Sequence, residues 1–431
     1  MEAQDNAVSD RFADAGYRKA ESRLLPLLFL CYLFAYLDRV NIGFAKLQMS
    51  GAIELTESSY GFAAGIFFLG YFLLEVPSNM VLVRVGARRW IARIMITWGI
   101  VAACTMLVVG ARSFSLVRFL LGAAEAGFIP GVLYYLTRWF PAARRGRVMA
   151  LFLTGIPVSG AIGGPVSGWM LTHLQGVWGL DGWQWLFVLQ GLPSAVLGVV
   201  VLRFLPDGPH EARWLSSGES EAITQRVQAE ERGKQLHSFK DSFTEPRVWL
   251  LCAVYFLILL GLYAVSFWLP TLVKGLGVSD PLQIGMVTAV PYVCGAVAMY
   301  IAAKRSDEHV ERRWHLAVPA LVGAAGLALS VPLQSTPVAA VAALSFATAG
   351  VCASVSQFWN LPSALLGGTA AAAGIALVNS VGNAAGFASP FAVGWVKDHY
   401  GSSNPAVLAI AGAMALAAGL VFAIPAKLVN K

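Results

Sequence analysis

Long apolar runs recur from one end of the chain to the other, most of them 20 residues or longer, and nothing else in the sequence constrains its fold as much. A helix rises about 1.5 Å per residue, so roughly 20 residues cross the ~30 Å hydrocarbon core of a bilayer. The runs predict spans near 24–46, 58–82, 90–110, 112–136, 147–174, 183–205, 246–274, 281–304, 313–333, 337–358, 367–396 and 402–426. Composition agrees: 57% of the 431 residues are hydrophobic and only 13% are charged, too few to cover the surface of a soluble domain this large. The expectation is an all-α membrane protein of twelve transmembrane helices.

The net charge of +7 would suggest an acidic partner such as nucleic acid in a soluble protein. The positive-inside rule accounts for it better: with the first residues in the cytoplasm, 24 of the 31 Lys and Arg fall on the cytoplasmic side. The opposite loops keep only Lys46, Arg112, Lys274 and Lys397. Both termini are then inside, which requires an even number of spans. The stretch before the first span has no cleavage site of small residues, so that span is expected to stay in the protein.

One long polar segment separates the spans and predicts three parts: a six-helix bundle over 1–205, a cytoplasmic central loop over 206–245, and a second six-helix bundle over 246–431. Arg213 to Lys234 reads as a surface helix of mixed charge. Two pseudo-symmetric halves of this kind are how repeat-built transporters are divided. An internal echo supports the division, because Ala87-Arg-Arg-Trp90 and Glu311-Arg-Arg-Trp314 each enter the third span of a half.

Charge at membrane depth costs at least ~2.5 kcal/mol per residue and marks function by default. Six such residues stand out: Asp38, Arg39, Glu75, Arg93, Arg118 and Glu125, all in the first half. The second half offers neutral groups, Gln357, Asn360, Asn379 and Asn383, with Trp268 and Trp359. Arg118 and Glu125 are two turns apart and share a helix face, whereas the adjacent Asp38 and Arg39 diverge by about 100°. The simplest arrangement gives each charge an opposite partner across a cavity, where a proton and an anion enter and leave together. Static ion pairs are the competing reading, strongest for Glu75 and Arg93, which sit closer to the cytoplasmic ends of their spans.

The five cysteines lie in apolar runs and read as small buried hydrophobes, and the six histidines have no metal-ligand spacing. No catalytic constellation falls on a span, so neither an enzyme nor a metal or organic cofactor is expected.

At the charged residues the chain resembles the major facilitator superfamily, and within it the anion:cation symporters, along all twelve spans. Tyr36-Leu-Asp-Arg-Val-Asn-Ile-Gly43 resembles that family's first-span signature. Arg118-Phe-Leu-Leu-Gly-Ala-Ala-Glu-Ala-Gly-Phe-Ile-Pro-Gly131, with Arg138-Trp-Phe-Pro141, resembles the fourth-span signature. Arg84-Val-Gly-Ala-Arg-Arg89 resembles the superfamily's loop motif, with Leu82 and Val83 where an acidic residue is usual. Ser306-Asp307 with Arg312-Arg313 resembles its counterpart in the second half. Gly374-Ile-Ala-Leu-Val-Asn379 with Gly382-Asn383 resembles the eleventh-span signature. Pro206-Asp207 and Arg213-Trp-Leu215 resemble members that carry tartrate-, phthalate- or hydroxyphenylacetate-like acids.

The resemblance implies a monomeric proton symporter of the bacterial inner membrane that imports a small organic carboxylate by alternating access. Asp38 and Glu125 would be the proton-coupling pair. Arg39 and Arg118 would be their partners or the substrate's ligands, with Tyr36, Tyr71, Asn379, Asn383 and Trp359 completing the substrate site. Glu75, Arg84, Arg88, Arg138 and Asp307 would form the inner gate, Glu75 latching to the loop arginines. Gly160-Ala-Ile-Gly-Gly-Pro-Val-Ser-Gly168 partly matches a motif of drug:proton antiporters, which keeps a proton-coupled exporter as the alternative; helix packing explains the same glycines. A ligand-binding membrane receptor is the reading from another class, and the central segment carries no recognisable signalling domain to support it.

Overall fold

A computed structural model describes residues 2–141, 144, 148, 152–232, 245–309, 311–365 and 368–429, and these are helical with no strand among them. The helices are α1 (Glu2–Ala52), α2 (Glu57–Val85), α3 (Ala87–Cys104), α4 (Ala111–Glu125), α5 (Phe128–Thr137), α6 (Gly155–His173) and α7 (Gly182–Phe204) in the first half. A connecting helix α8 (Ser217–Arg232) follows. The second half holds α9 (Pro246–Gly275), α10 (Pro281–His309), α11 (Arg313–Ser330), α12 (Pro337–Phe358), α13 (Asn360–Leu365), α14 (Gly368–Asn383), α15 (Ala385–Tyr400), α16 (Asn404–Val421) and the short α17 (Ala426–Val429).

Among the described residues, nine stretches are long and apolar enough to cross a membrane by length and composition alone. The other three crossings are α6 and α11, shorter and rich in Gly and Ala, and the fused pair α14–α15. The total is the expected twelve, with α4–α5 and α12–α13 each making one interrupted crossing. The side on which the chain starts is called the near side below, the other the far side.

Pseudo-symmetry is visible in how the helices pack. Within the first half α3 lies on α7 and α2 on α4; within the second, α10 and α11 lie on α12, and α9 contacts α14, α15 and α16. Between the halves three contacts dominate: α2 with α15, α6 with α10, and α1 with α9. In span numbers these are 2 with 11, 5 with 8, and 1 with 7. Adding six to a span's place in the first half exchanges the first two contacts and maps the third onto itself. That is the mark of a two-fold repeat.

The glycine stretch Gly160–Gly168 lies on the 5–8 contact. A Cβ at Gly164 would stand 2.6 Å from the Gly285 carbonyl oxygen, and one at Gly168 would meet Pro281. Close helix approach accounts for these glycines, as small residues do at membrane helix crossings.

The first element departs from its expected span. The first helix does not begin at the membrane: its 51 residues make it about 76 Å long, so its first turns project on the near side. The central segment carries a helix, α8, within the stretch where one was expected, and it is fastened to its neighbours. The Tyr135 hydroxyl donates to the Pro206 carbonyl at 2.9 Å, Asp207 accepts the Arg88 backbone N–H at 2.8 Å, and α8 packs along the projecting part of α1.

Candidate functional site

The fourth span breaks where its charged residue sits. Helix α4 ends at Glu125; Ala126 turns out of helical geometry at ψ 128°, and Gly127 takes φ +90°, a left-handed conformation that favours glycine. The interruption frees the Ala126 carbonyl, which accepts the Ser78 hydroxyl at 2.7 Å. Irregular backbone at membrane depth needs internal partners of this kind. The break leaves the Glu125 carboxylate at a helix C-terminus, where a cation is favoured.

Arg39 from α1 fills that position. Its Nε donates to Glu125 Oε1 at 3.0 Å, and its Nη2 donates to the same oxygen. The Glu125 side chain is 1% exposed and that of Arg39 13%, so the pair is nearly enclosed and open to solvent on the arginine side. The rings of Phe67 and Tyr71, on α2, lie 5.5 and 5.7 Å from the guanidinium carbon.

Asp38 points the other way, as the 100° divergence requires. Its Oδ2 accepts the Trp98 indole N–H at 2.7 Å and the Ser194 hydroxyl at 3.2 Å, and Asn41 reaches Oδ1 at 3.4 Å. The expectation that each charge meets an opposite charge therefore holds for Arg39 and Glu125 and fails for the other two. Asp38 is held by neutral donors from α3 and α7. Arg118 is 1% exposed, its Nε and Nη2 have no hydrogen-bond partner among the described residues, and its guanidinium lies 4.9 Å from the Phe67 ring. The cause is the helix geometry already described: Asp38 faces into the first half, away from Arg39.

The remaining candidates gather around the seam between the halves. Tyr36 shares a hydrogen bond with Ser266 across the seam at 3.1 Å. The Tyr263 hydroxyl donates to Asn383 Oδ1 at 2.9 Å, and Trp359 stands edge-on to Tyr255 with ring centres 5.1 Å apart. Asn379 is half-buried and makes no hydrogen bond among the described residues. Sequence reasoning missed Tyr255, Tyr263 and Ser266, since a tyrosine or serine in an apolar run has no signal separating a lining position from packing.

The expected near-side gate is only partly assembled. Glu75 forms no ion pair with Arg84, Arg88 or Arg138. It lies ten residues before the end of α2, too deep to latch them, and within electrostatic reach of Arg39 instead. Arg88 pairs with Asp207 at 3.6 Å and Glu211 at 3.4 Å, carboxylates that follow the sixth span. Arg84 and Arg138 are exposed, and the Asp307 side chain lies outside the described residues.

A charge cluster that sequence reasoning did not single out closes the far side. Lys46, 5% exposed and 3.7 Å from the Trp268 ring, pairs with Glu57, which also accepts Lys397 from the other half at 2.7 Å. Asp398 caps the start of α2, accepting the backbone N–H groups of Ser58 at 2.7 Å and Glu57 at 3.2 Å. The only signal was that Lys46 and Lys397 are two of the four basic residues on that side.

The chain is 48% identical over 424 residues to a putative metabolite transport protein NicT of Pseudomonas putida, covering 98% of this chain and 97% of the relative. It is 43% identical to a putative tartrate transporter of Agrobacterium vitis, covering 96% and 92%. Its fold matches the xylose transporter XylE from E. coli in a partially occluded inward-open conformation, with a TM-score of 0.74 at 17% identity, covering 94% of this chain and 98% of that one. The profile described as Major Facilitator Superfamily matches residues 28–390. The chain belongs to the major facilitator superfamily, and it is a multi-pass membrane transporter rather than an enzyme.

Proposed function

We propose that this transporter imports a small organic carboxylate together with protons, through alternating access of its two halves, in a bacterial inner membrane with both termini cytoplasmic. The single observation that carries the reading is the enclosed Arg39–Glu125 pair beside the break in the fourth span. An arginine fork is the best protein donor to a carboxylate, and Glu125 accepts from that fork through Oε1. A substrate carboxylate would displace Glu125 from Arg39. The displaced carboxylate loses its cation, so it takes a proton rather than remain charged in a low-dielectric site. Substrate and proton thereby bind together, and either one leaving restores the ion pair. The name of the Agrobacterium relative supports a carboxylate as cargo, and the bacterial relatives support the membrane assigned.

The test is reconstitution into vesicles. A thermal-shift panel of mono- and dicarboxylates, sugar acids and aromatic acids first identifies a stabilising acid. Uptake of that acid should then follow an imposed inward proton gradient. Glu125→Gln should abolish gradient-driven uptake and leave counterflow exchange largely intact. Equal loss of both would make Glu125 structural, and gradient-driven export of the cargo would overturn the direction.

A further inference from the structure

We propose that Trp98 and Ser194 are positioning residues that seat the Asp38 carboxylate inside the first half and set the pH at which it takes up a proton. The inference rests on the proton-symport reading, and it deepens that reading by naming what controls one of the two acids.

The two donors are brought together by a close helix crossing. On α3 and α7, Gly99 faces Gly191 and Ala195: a Cβ at Gly99 would stand 2.7 Å from the Gly191 carbonyl oxygen, and one at Gly191 would stand 2.8 Å from the Ala103 nitrogen. At that separation Trp98, one residue before Gly99, and Ser194, one residue before Ala195, reach the same oxygen of Asp38. Trp98 is fully buried, and its ring is fixed edge-to-face on Phe128, 5.6 Å away just past the left-handed turn at Gly127. Ser194 is also fully buried. Among the described residues neither donor has a second acceptor, and an indole N–H cannot accept a hydrogen bond, so the arrangement suits an oxygen carrying charge.

The charged groups facing Asp38 from the packed elements are few. Helix α4 presents Glu125 and Arg118, both within electrostatic reach. The donors from α3 and α7 are the neutral Trp98 and Ser194, and on α1 itself Arg39 turns away to Glu125. With no cation in contact, hydrogen bonds to the carboxylate become the means of holding it charged. Removing a donor to a charged group is worth about one to two pH units in its titration.

The experiment needs no substrate. Infrared difference spectra of the purified protein, stepped through pH in lipid, report the carbonyl stretch of protonated carboxyl groups, and Asp38→Asn assigns the Asp38 band by its disappearance. Trp98→Phe should move the midpoint of that band upward by about one to two pH units, and Ser194→Ala by a smaller amount in the same direction. Ser194→Ala is nearly isosteric and keeps the test alive if Trp98→Phe fails to fold. Unchanged midpoints in the folded variants would overturn the proposal, as would the lack of any band that Asp38→Asn removes. Because transport is not measured, a failure of the symport reading appears only in the vesicle assay and is told apart from a failure here.

Discussion

The two adjacent charges of the first span have been separated by nothing more than helical geometry. Asp38 faces α3 and α7 and finds an indole and a hydroxyl; Arg39 faces the break in the fourth span and finds Glu125. The identities of these residues were legible in the sequence, because charge in an apolar run stands out. Their partners were not, since pairing depends on which faces of α1, α3, α4 and α7 meet. Arg118 illustrates the limit: two turns before Glu125 and on the same face, it was expected to share the ion pairing, yet its Nε and Nη2 have no hydrogen-bond partner among the described residues. Arg39 itself makes a sharp prediction. Its Nε and Nη2 both reach one carboxylate oxygen, a fork that a lysine ammonium cannot reproduce. Arg39→Lys should weaken binding of the stabilising acid by roughly tenfold or more, the value of one charge-assisted hydrogen bond. Isothermal titration of the purified protein measures this, and an unchanged affinity would remove Arg39 from the substrate site.

At the scale of the helices, length and apolarity gave the number of crossings, and the structure adds the interruptions that make them useful. The fourth span breaks sharply at Ala126–Gly127, and its symmetry mate, the tenth, is interrupted more mildly at Trp359, which keeps helical angles. Neither break was legible, because Ala-Gly and Phe-Trp pairs also occur in unbroken helices. The far-side cluster was hidden for the same reason: Glu57 at the start of α2 and Lys397 near the end of α15 are 340 residues apart in sequence. Hydrogen bonds and ion pairs join the halves from mid-depth to the far side, ending in Glu57–Lys397, Asp398 on α2, and Thr172–Asp280. Glu57→Gln would remove the carboxylate that pairs with both Lys46 and Lys397, leaving Asp398 as the anion of the cluster. The pair with Lys397 is partly exposed, so its loss is worth about 1 kcal/mol, or roughly a fivefold shift toward opening on that side. Spin labels at the exposed Ala52 and Ser279 should report a larger share of long distances in this variant. An unchanged distance distribution would mean that the glycine-lined helix contacts alone hold the far side closed.

Taken whole, the molecule divides less evenly than its sequence suggests. The central segment up to Arg232 is fastened to the first half by several independent contacts. Trp214 stacks on Trp139 at 5.6 Å, Ile223 is fully buried with its methyl carbon 2.8 Å from where a Cβ on Gly16 would stand, and Lys19 pairs with Glu219 at 2.8 Å. Rocking of the halves would therefore carry α8 with the first bundle and leave the chain from 233 to 245 to bridge them. The fastening has a pH dependence of definite sign. Burial alone would push the Glu219 carboxyl up, but its hydrogen bonds from Lys19 and from the Ser216 backbone outweigh that and hold it below the usual carboxylate range. A group depressed in the folded state stabilises it above the unfolded value, about 4.3 for glutamate, and that stabilisation is lost as pH falls through the folded value. Amide exchange across residues 217–232, corrected for its intrinsic rate, should stay slow from neutral pH down to about 5 and rise only in more acidic solution. Lys19→Ala should move that rise toward the ordinary glutamate value, while Ile223→Asp should abolish protection at every pH by placing a charge in the apolar contact. If Lys19→Ala leaves the profile unchanged, the apolar contact holds α8 by itself and the ion pair only decorates its edge.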